Sequence, residues 1–147
     1  MDLIERSIEI ALEAYTGLKD KAGKTYILHP LRVMNRMQSD EEMAVALLHD
    51  VLEDSKLTER DLLDKGIPAY IVDAVRCLTK APGENYDDFI IRVSKSQLAM
   101  KVKIADIEDN INVLRLDVIE RDDLNRITKY HRAWKRLHEL RIGQALT

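Results

Sequence analysis

Two histidines and a group of carboxylates carry the first chemical signal. His49 and Asp50 follow Met43-Ala44-Val45-Ala46-Leu47-Leu48, a run apolar enough to be buried on most sides. An ionised aspartate next to such a run is costly unless it is paired or bound to a cation. Glu53 lies four residues after His49 and Asp54 four after Asp50, so on a continuous helix each pair stacks one turn apart. Three carboxylates and an imidazole within two turns call for a positive group among them. The alternative is an exposed acidic helix end, with Asp54-Ser55-Lys56 as its exit. Asp106 shares a helix face with Val102, Ala105, Asp109, Asn110 and Val113, which sets an acid and an amide among apolar neighbours; a salt bridge or a cap would also explain it. His29 precedes Pro30, which biases it to extended backbone at the mouth of a helix. A buried histidine bonded to a carbonyl is the competing explanation. Together His29, His49, Asp50 and Asp106 offer two imidazoles and two carboxylates. That donor set suits Mn²⁺, Fe²⁺ or Zn²⁺ with room for water, rather than a closed structural zinc site. His131 and His138 lie among Arg132, Lys135 and Arg136 and read as surface or groove-lining residues.

Helices must deliver these groups. Leu3, Ile4, Ile8, Ala11, Leu12 and Tyr15 outline one helix face, and Gly17 is its stop. Pro30 suits the first turn of a second helix carrying Val33, Met34 and Met37. Ser39 and Glu42 form a capping box that opens a third helix, predicted to run through Met43, Leu47, Val51 and Leu52. Thr58 and Asp61 repeat the pattern before Leu62 and Leu63, with Gly66 as terminator. Pro68 opens a helix built on Ile71, Val72, Val75 and Leu78. Beyond the break at Ala81-Pro82-Gly83, the spacing predicts a short helix over Tyr86, Phe89, Ile90 and Val93. A longer one follows, capped by Ser96 and running to about Leu116, and a last one holds Leu124, Ile127, Tyr130, Trp134 and Leu137. No stretch alternates with period two, and no internal repeat or linker divides the chain. The expected architecture is all-α, a single helical domain over residues 1–147.

Composition narrows the function. The chain has 46% apolar and 33% charged residues, a globular balance. Its net charge of −3 argues against a nucleic-acid partner, whose affinity comes largely from basic contacts to phosphate. The longest apolar run, Met43–Leu48, falls far short of the roughly 20 residues that span a bilayer. Met1-Asp2-Leu3-Ile4-Glu5 is acidic, unlike a signal peptide, and Cys77 has no second cysteine to pair with. A cytoplasmic protein without membrane or nucleic-acid partners is expected.

In sequence order, Gly23-Lys24-Thr25-Tyr26-Ile27-Leu28-His29-Pro30, Leu47-Leu48-His49-Asp50-Val51-Leu52-Glu53-Asp54 and Val102-Lys103-Ile104-Ala105-Asp106 with Asn110 resemble the HD-domain alarmone hydrolases. These are the hydrolase domains of the Rel/SpoT enzymes and their free-standing relatives, the small alarmone hydrolases. The ordered match runs from about Tyr15 to Tyr130. The resemblance implies a helical HD domain and a metal-dependent hydrolase that removes pyrophosphate from the 3′ position of guanosine tetra- or pentaphosphate. It places the metal ligands, usually around Mn²⁺, on His29, His49, Asp50 and Asp106, and the acid/base pair on Glu53 and Asp54. It places nucleotide contacts on Asn110, on Arg126 with Tyr130, and on Lys80. Two positions depart from the family. Asp20-Lys21-Ala22 stands where Rel-type enzymes carry an Arg-Lys-Ser-type stretch, and Ile107 follows Asp106 where arginine is common. Both bear on base and phosphate recognition and leave the metal ligands intact. Of the activities in the bifunctional relatives, only hydrolysis is expected of these 147 residues.

The chemistry of the residues agrees with that role. Glu53 could position water or protonate the leaving 3′ oxygen, with its pKa raised by repulsion from Asp54. Lys21, Lys24, Lys80 and Arg126 could neutralise the outer phosphates, or remain solvated surface charges. Tyr26 and Tyr130 could line a nucleoside pocket or complete the core. Two other functions stay open at this level: an HD phosphohydrolase for another nucleotide or phosphoester, such as a nucleoside monophosphate or dinucleotide phosphate, and a non-catalytic nucleotide-binding module.

Overall fold

The computed structural model describes residues 1–146. Among them the chain forms α1 (Leu3–Tyr15), α2 (Leu28–Asn35), α3 (Asp40–Leu48), α4 (Val51–Asp54), α5 (Glu59–Asp64), α6 (Ala69–Cys77), α7 (Tyr86–Val93), α8 (Gln97–Asn110), a 3-10 turn (Val113–Arg115) and α9 (Arg121–Leu146). Most helix starts are local chemistry. Asp2, Ser39 and Thr58 each accept from the backbone N–H three residues on, and Glu5, Glu42 and Asp61 return the bond. These reciprocal capping boxes satisfy donors that the first helical turn leaves unpaired. Asn85 and Ser96 cap α7 and α8 with their side chains alone. Gly66, after α5, has φ +87°, and a Cβ there would stand 3.0 Å from Arg6 Nη1. The bare Cα lets that guanidinium lie close and donate to the Gly66 carbonyl at 3.0 Å.

Helix α3 is the axis of the fold. Ala44 to Leu48 are all fully buried, as expected of a helix apolar on every side, and α1, α2, α6 and α8 all pack on it. Helix α8 is almost as enclosed, burying Val102, Ile104, Ala105 and Ile107 together with the acids Asp106 and Asp109. Helix α9 lies over α7 and α8 and turns Ala133 and Leu137 into the core. His131 is exposed, and His138 stacks edge-on against Trp134 at 3.9 Å between ring centroids. The described residues contain no strand; an isolated antiparallel bridge between Lys19 and Thr25 closes the loop before α2. None of their helices is long and apolar enough to cross a membrane.

Three local features differ from expectation. His29 is not extended before Pro30 but already helical, in the first turn of α2, which begins at Leu28. The third helix does not continue through Leu52: it ends at Leu48, Asp50 takes φ −103° and ψ 2°, and α4 begins at Val51. Helix α8 ends at Asn110 rather than near Leu116. There the Asn112 side chain accepts from Leu114 N at 3.2 Å and caps the 3-10 turn, the kind of local bond with which asparagine competes against helix continuation.

Candidate metal centre and its cavity

The break after α3 shapes the site. Successive residues of an unbroken helix point about 100° apart, so neighbours cannot aim at one point. Here His49 and Asp50 converge, with Nε2 and Oδ2 2.9 Å apart. Tyr15, on α1, ties the junction together. Its hydroxyl donates to the Leu47 carbonyl and accepts from Asp50 N, both at 3.2 Å, taking up backbone groups that the interruption leaves over.

His29, in the first turn of α2, and Asp106, on α8, reach the same point from the other side. His29 Nε2 lies 2.9 Å from Asp106 Oδ1 and 4.0 Å from Asp50 Oδ2, and His49 Nε2 lies 3.4 Å from Asp106 Oδ1. The donor atoms of His29, His49 and Asp50 all fall within 4.8 Å of one another. Ligand atoms bonded at roughly 2.1 Å to one ion stand about 3 Å apart, so the cluster has the dimensions of a coordination sphere.

The histidine tautomers say what the cluster lacks. His49 Nδ1 lies 2.6 Å from the Ala46 carbonyl, which can only accept, so Nδ1 carries a proton. His29 Nδ1 likewise donates to Asp109 Oδ2 at 2.6 Å. Both Nε2 atoms therefore face carboxylates across the centre, and the buried His49 Nε2 has no hydrogen-bond partner despite its close approach to Asp50. Lone pairs against carboxylate oxygens need a proton or a cation between them. Burial works against charge on both rings, yet the acids outweigh it: Asp106 and Asp109 raise the pKa of His29, and Asp50 and Asp106 raise that of His49 well above the usual value. The donor set and the orphaned nitrogen fit a divalent metal, which would displace those protons.

The surrounding groups hold the acids in place. The Tyr26 hydroxyl donates to Asp50 Oδ2. Asn110 Nδ2 donates to Asp106 Oδ1 at 2.9 Å, and Lys103 Nζ to Asp106 Oδ2 at 2.9 Å. Burial opposes the Asp106 charge, but Lys103, His49 and His29 keep its carboxyl well below the usual carboxylate range. Burial, reinforced by the charges of Asp50 and of each other or of Asp50 alone, shifts Glu53 and Asp54 the opposite way, above their usual values.

A cavity of about 740 Å³ opens over the cluster. His29, Asp50 and Asp106 lie on its wall, as do Glu53, Asp54, Lys21, Tyr26, Lys80, Asn110, Arg126 and Tyr130. His49 is behind the wall, and Lys24 does not line it. Asp20 acts as a turn-forming residue: Oδ1 accepts from Ala22 N and Lys24 N, both at 2.9 Å, and folds the loop that carries Lys21 to the rim. Arg126 is engaged by Asp123 on its own helix. Sequence reading missed Arg32, Lys103, Arg115 and Lys129, all on the same wall. Lys129 Nζ sits over the rings of Tyr86 and Tyr130, 4.7 and 5.3 Å from their centroids. Its pKa is lowered by burial and then by Lys103, Arg126 and Lys80. In a chain of net charge −3, these cations gather on one cavity beside the acidic cluster, most of them paired with its neighbouring carboxylates.

No protein-family model matches the chain. Curated proteins do. The guanosine-3′,5′-bis(diphosphate) 3′-pyrophosphohydrolase of Aquifex aeolicus is 30% identical over 122 residues, covering 76% of this chain and 18% of that protein. The protein of the same name from Haemophilus influenzae is 33% identical over 119 residues, covering 71% of this chain and 18% of its own length. The chain therefore spans less than a fifth of these relatives. A solved structure of a metazoan ortholog of SpoT, which hydrolyzes ppGpp and plays a role in starvation responses, superposes with a TM-score of 0.69 at 19% identity, over 100% of this chain and 98% of that one. The chain is a homologue of the SpoT-type guanosine-3′,5′-bis(diphosphate) 3′-pyrophosphohydrolases and has their all-helical HD-domain fold.

Proposed function

We propose that the chain is a cytoplasmic, metal-dependent hydrolase that removes the 3′-pyrophosphate from guanosine tetra- or pentaphosphate and leaves GDP or GTP. The observation that carries this reading is the His29, His49, Asp50 and Asp106 cluster opening into a cavity that Lys80, Lys103, Arg126 and Lys129 also line. An acidic centre for a divalent ion lies beside a cationic surface for phosphates, as hydrolysis of a polyphosphate ester needs. The relatives are named for that reaction.

His29, His49, Asp50 and Asp106 would hold the ion, with Mn²⁺ the favoured species and Fe²⁺ or Zn²⁺ the alternatives. Bound there, a divalent ion polarises a phosphoryl oxygen and lowers the pKa of water towards about 7. Tyr26 keeps Asp50 oriented through its hydroxyl. Glu53 retains a proton more readily than an ordinary glutamate because burial, Asp50 and Asp54 all disfavour its charge. Protonated, it could supply a proton to the departing 3′ oxygen, and ionised it could orient the attacking water, with Asp54 as the second carboxyl of the pair. Lys80 and Arg126 would neutralise the outgoing pyrophosphate, and Asn110 and Tyr130, which also line the cavity, would contact the nucleotide. Lys21 reaches the rim, and Lys24 lies outside it.

The test is pyrophosphate release from guanosine tetraphosphate by the Mn²⁺-loaded protein, with Asp50→Ala as control. Release by the wild type alone supports the proposal. Bound Mn²⁺ with no release would refute the substrate, and turnover in a panel of other nucleotides and phosphoesters would then identify its replacement.

A further inference from the structure

Behind the His29 ring, on the side away from the cluster, a charged side chain from another element takes up Nδ1. Asp109 lies one turn after Asp106 on α8, with its side chain only 8% exposed. Its Oδ2 accepts from His29 Nδ1 at 2.6 Å and from Arg32 Nη2 at 3.1 Å. Its Oδ1 accepts from Arg32 Nε at 2.8 Å and from Arg115 Nη1 at 3.1 Å, and its backbone carbonyl accepts from Arg115 Nη2 at 2.7 Å. One carboxylate thus ties together α2, α8 and the 3-10 turn after α8. Nothing in the proposed reaction uses it, and it touches no other ligand of the cluster.

We propose that Asp109, clamped by Arg32 and Arg115, is the positioning residue of the metal centre: it fixes His29 in the Nδ1–H tautomer and aims Nε2 at the ion. The inference rests on the metal site proposed above and is independent of the substrate. The carboxylate braces α2 against α8 and the 3-10 turn, and it does so with one oxygen held on the back of the His29 ring. Two guanidiniums would suffice to pair it on a surface, but here they hold a buried charge against the back of an imidazole. A carboxylate that accepts from the far nitrogen of a ligating histidine orients the ring and makes it a stronger donor. Arg32 engages the carboxylate through two nitrogens, which sets the plane of the carboxylate as well as its position. Arg115 extends the arrangement to the cavity wall, because it sits in the 3-10 turn that lines the opening. His49 needs no such device, since a backbone carbonyl of its own chain segment holds its Nδ1.

The test is metal affinity, read without substrate. Mn²⁺ is titrated calorimetrically into the chelator-stripped full chain, as wild type and as Asp109→Asn, which keeps shape and removes charge. The proposal expects about 10- to 100-fold weaker binding in the variant, with helical circular dichroism unchanged. A second readout separates positioning from general loosening. In the Zn²⁺-loaded wild type, long-range ¹H–¹⁵N spectra show a protected His29 Nδ1 proton, and in the variant that resonance is lost while the His49 resonance stays. Equal Mn²⁺ affinity in a folded Asp109→Asn, or an unchanged His29 resonance, overturns the proposal. Should Asp109→Asn fail to fold, Arg115→Met decides: it leaves the carboxylate in place at a partly exposed site, and affinity must still fall and the His29 resonance still move. If the wild type binds neither metal, the metal centre itself is refuted and this inference falls with it.

Discussion

Replacing Lys103 by methionine tests the electrostatic balance of the cluster. The ammonium stands 2.9 Å from Asp106 Oδ2, and the two side chains are 13% and 6% exposed, so water screens the pair little. Methionine keeps an aliphatic stem against Phe89, over which the lysine now lies, and removes only the charge. Taking one partner from a buried pair costs about 3–5 kcal/mol. Asp106 retains the Asn110 amide and the His29 imidazole on its other oxygen, which places the expectation at the low end, about 3 kcal/mol. For a chain of this size, each kcal/mol lowers the melting temperature by about 2–4 °C, or about 6–12 °C in all. Melts followed by circular dichroism in EDTA should show that loss. In saturating MnCl₂ the gap between Lys103→Met and wild type should narrow, because the ion takes over neutralisation of Asp106 and no longer meets a neighbouring ammonium. By linkage the variant must then bind Mn²⁺ more tightly than the wild type. An equal loss in both buffers, or a loss below about 1 kcal/mol in EDTA, would refute this account of Asp106.

Asp50→Ala should abolish Mn²⁺ retention and turnover while the helical circular dichroism persists; equilibrium dialysis and a pyrophosphate assay decide it. Glu53→Gln should retain the metal and lose about 10²- to 10⁴-fold in kcat, with near-normal turnover stripping Glu53 of its acid/base role. The same substitution should stabilise the metal-free protein at neutral pH. Burial and the charges of Asp50 and Asp54 raise the folded pKa of Glu53, so the ionised wild-type side chain opposes folding. That gain must disappear below the unfolded value of about 4.3, where both states are protonated; a gain independent of pH would contradict it. Ser39→Ala removes one half of the capping box that opens α3 and should cost about 1 kcal/mol in urea unfolding, with the helix otherwise intact.

What the sequence reveals here divides by range. Ser39 with Glu42, and Thr58 with Asp61, announce helix starts because both partners of each bond lie within four residues. Pro68 and Ser96 do the same. The HD motif and the aspartate on an apolar face of α8 likewise point to His29, His49, Asp50 and Asp106 as one group. The interruption at Asp50 is illegible locally. Apolar periodicity runs unbroken through Leu48, Val51 and Leu52, and the residue that stabilises the break, Tyr15, lies on α1. Asp109 was visible on the same face as Asp106, but its partners His29 and Arg32 lie far back in the chain. A second buried-face acid one turn from a ligand was the available signal. Lys103 carried a similar one, three residues before Asp106 and therefore within reach of it on a helix. Lys129 gave no signal at all, because only the packing of α7 under α9 sets Tyr86 beneath it.

The four metal-directed side chains enter the cluster from α2, from the α3–α4 junction and from α8, separated by long stretches of chain. An ion held by all of them would act as a reversible cross-link, closing two loops much as a disulfide does in a chain whose lone cysteine can form none. Residues 30–48 lie in one loop and residues 51–105 in the other. Chelation would remove the binding free energy that favours the folded, loop-closed state, without touching a single covalent bond. The metal content of the compartment would then govern how long the protein survives proteolysis as well as how fast it turns over.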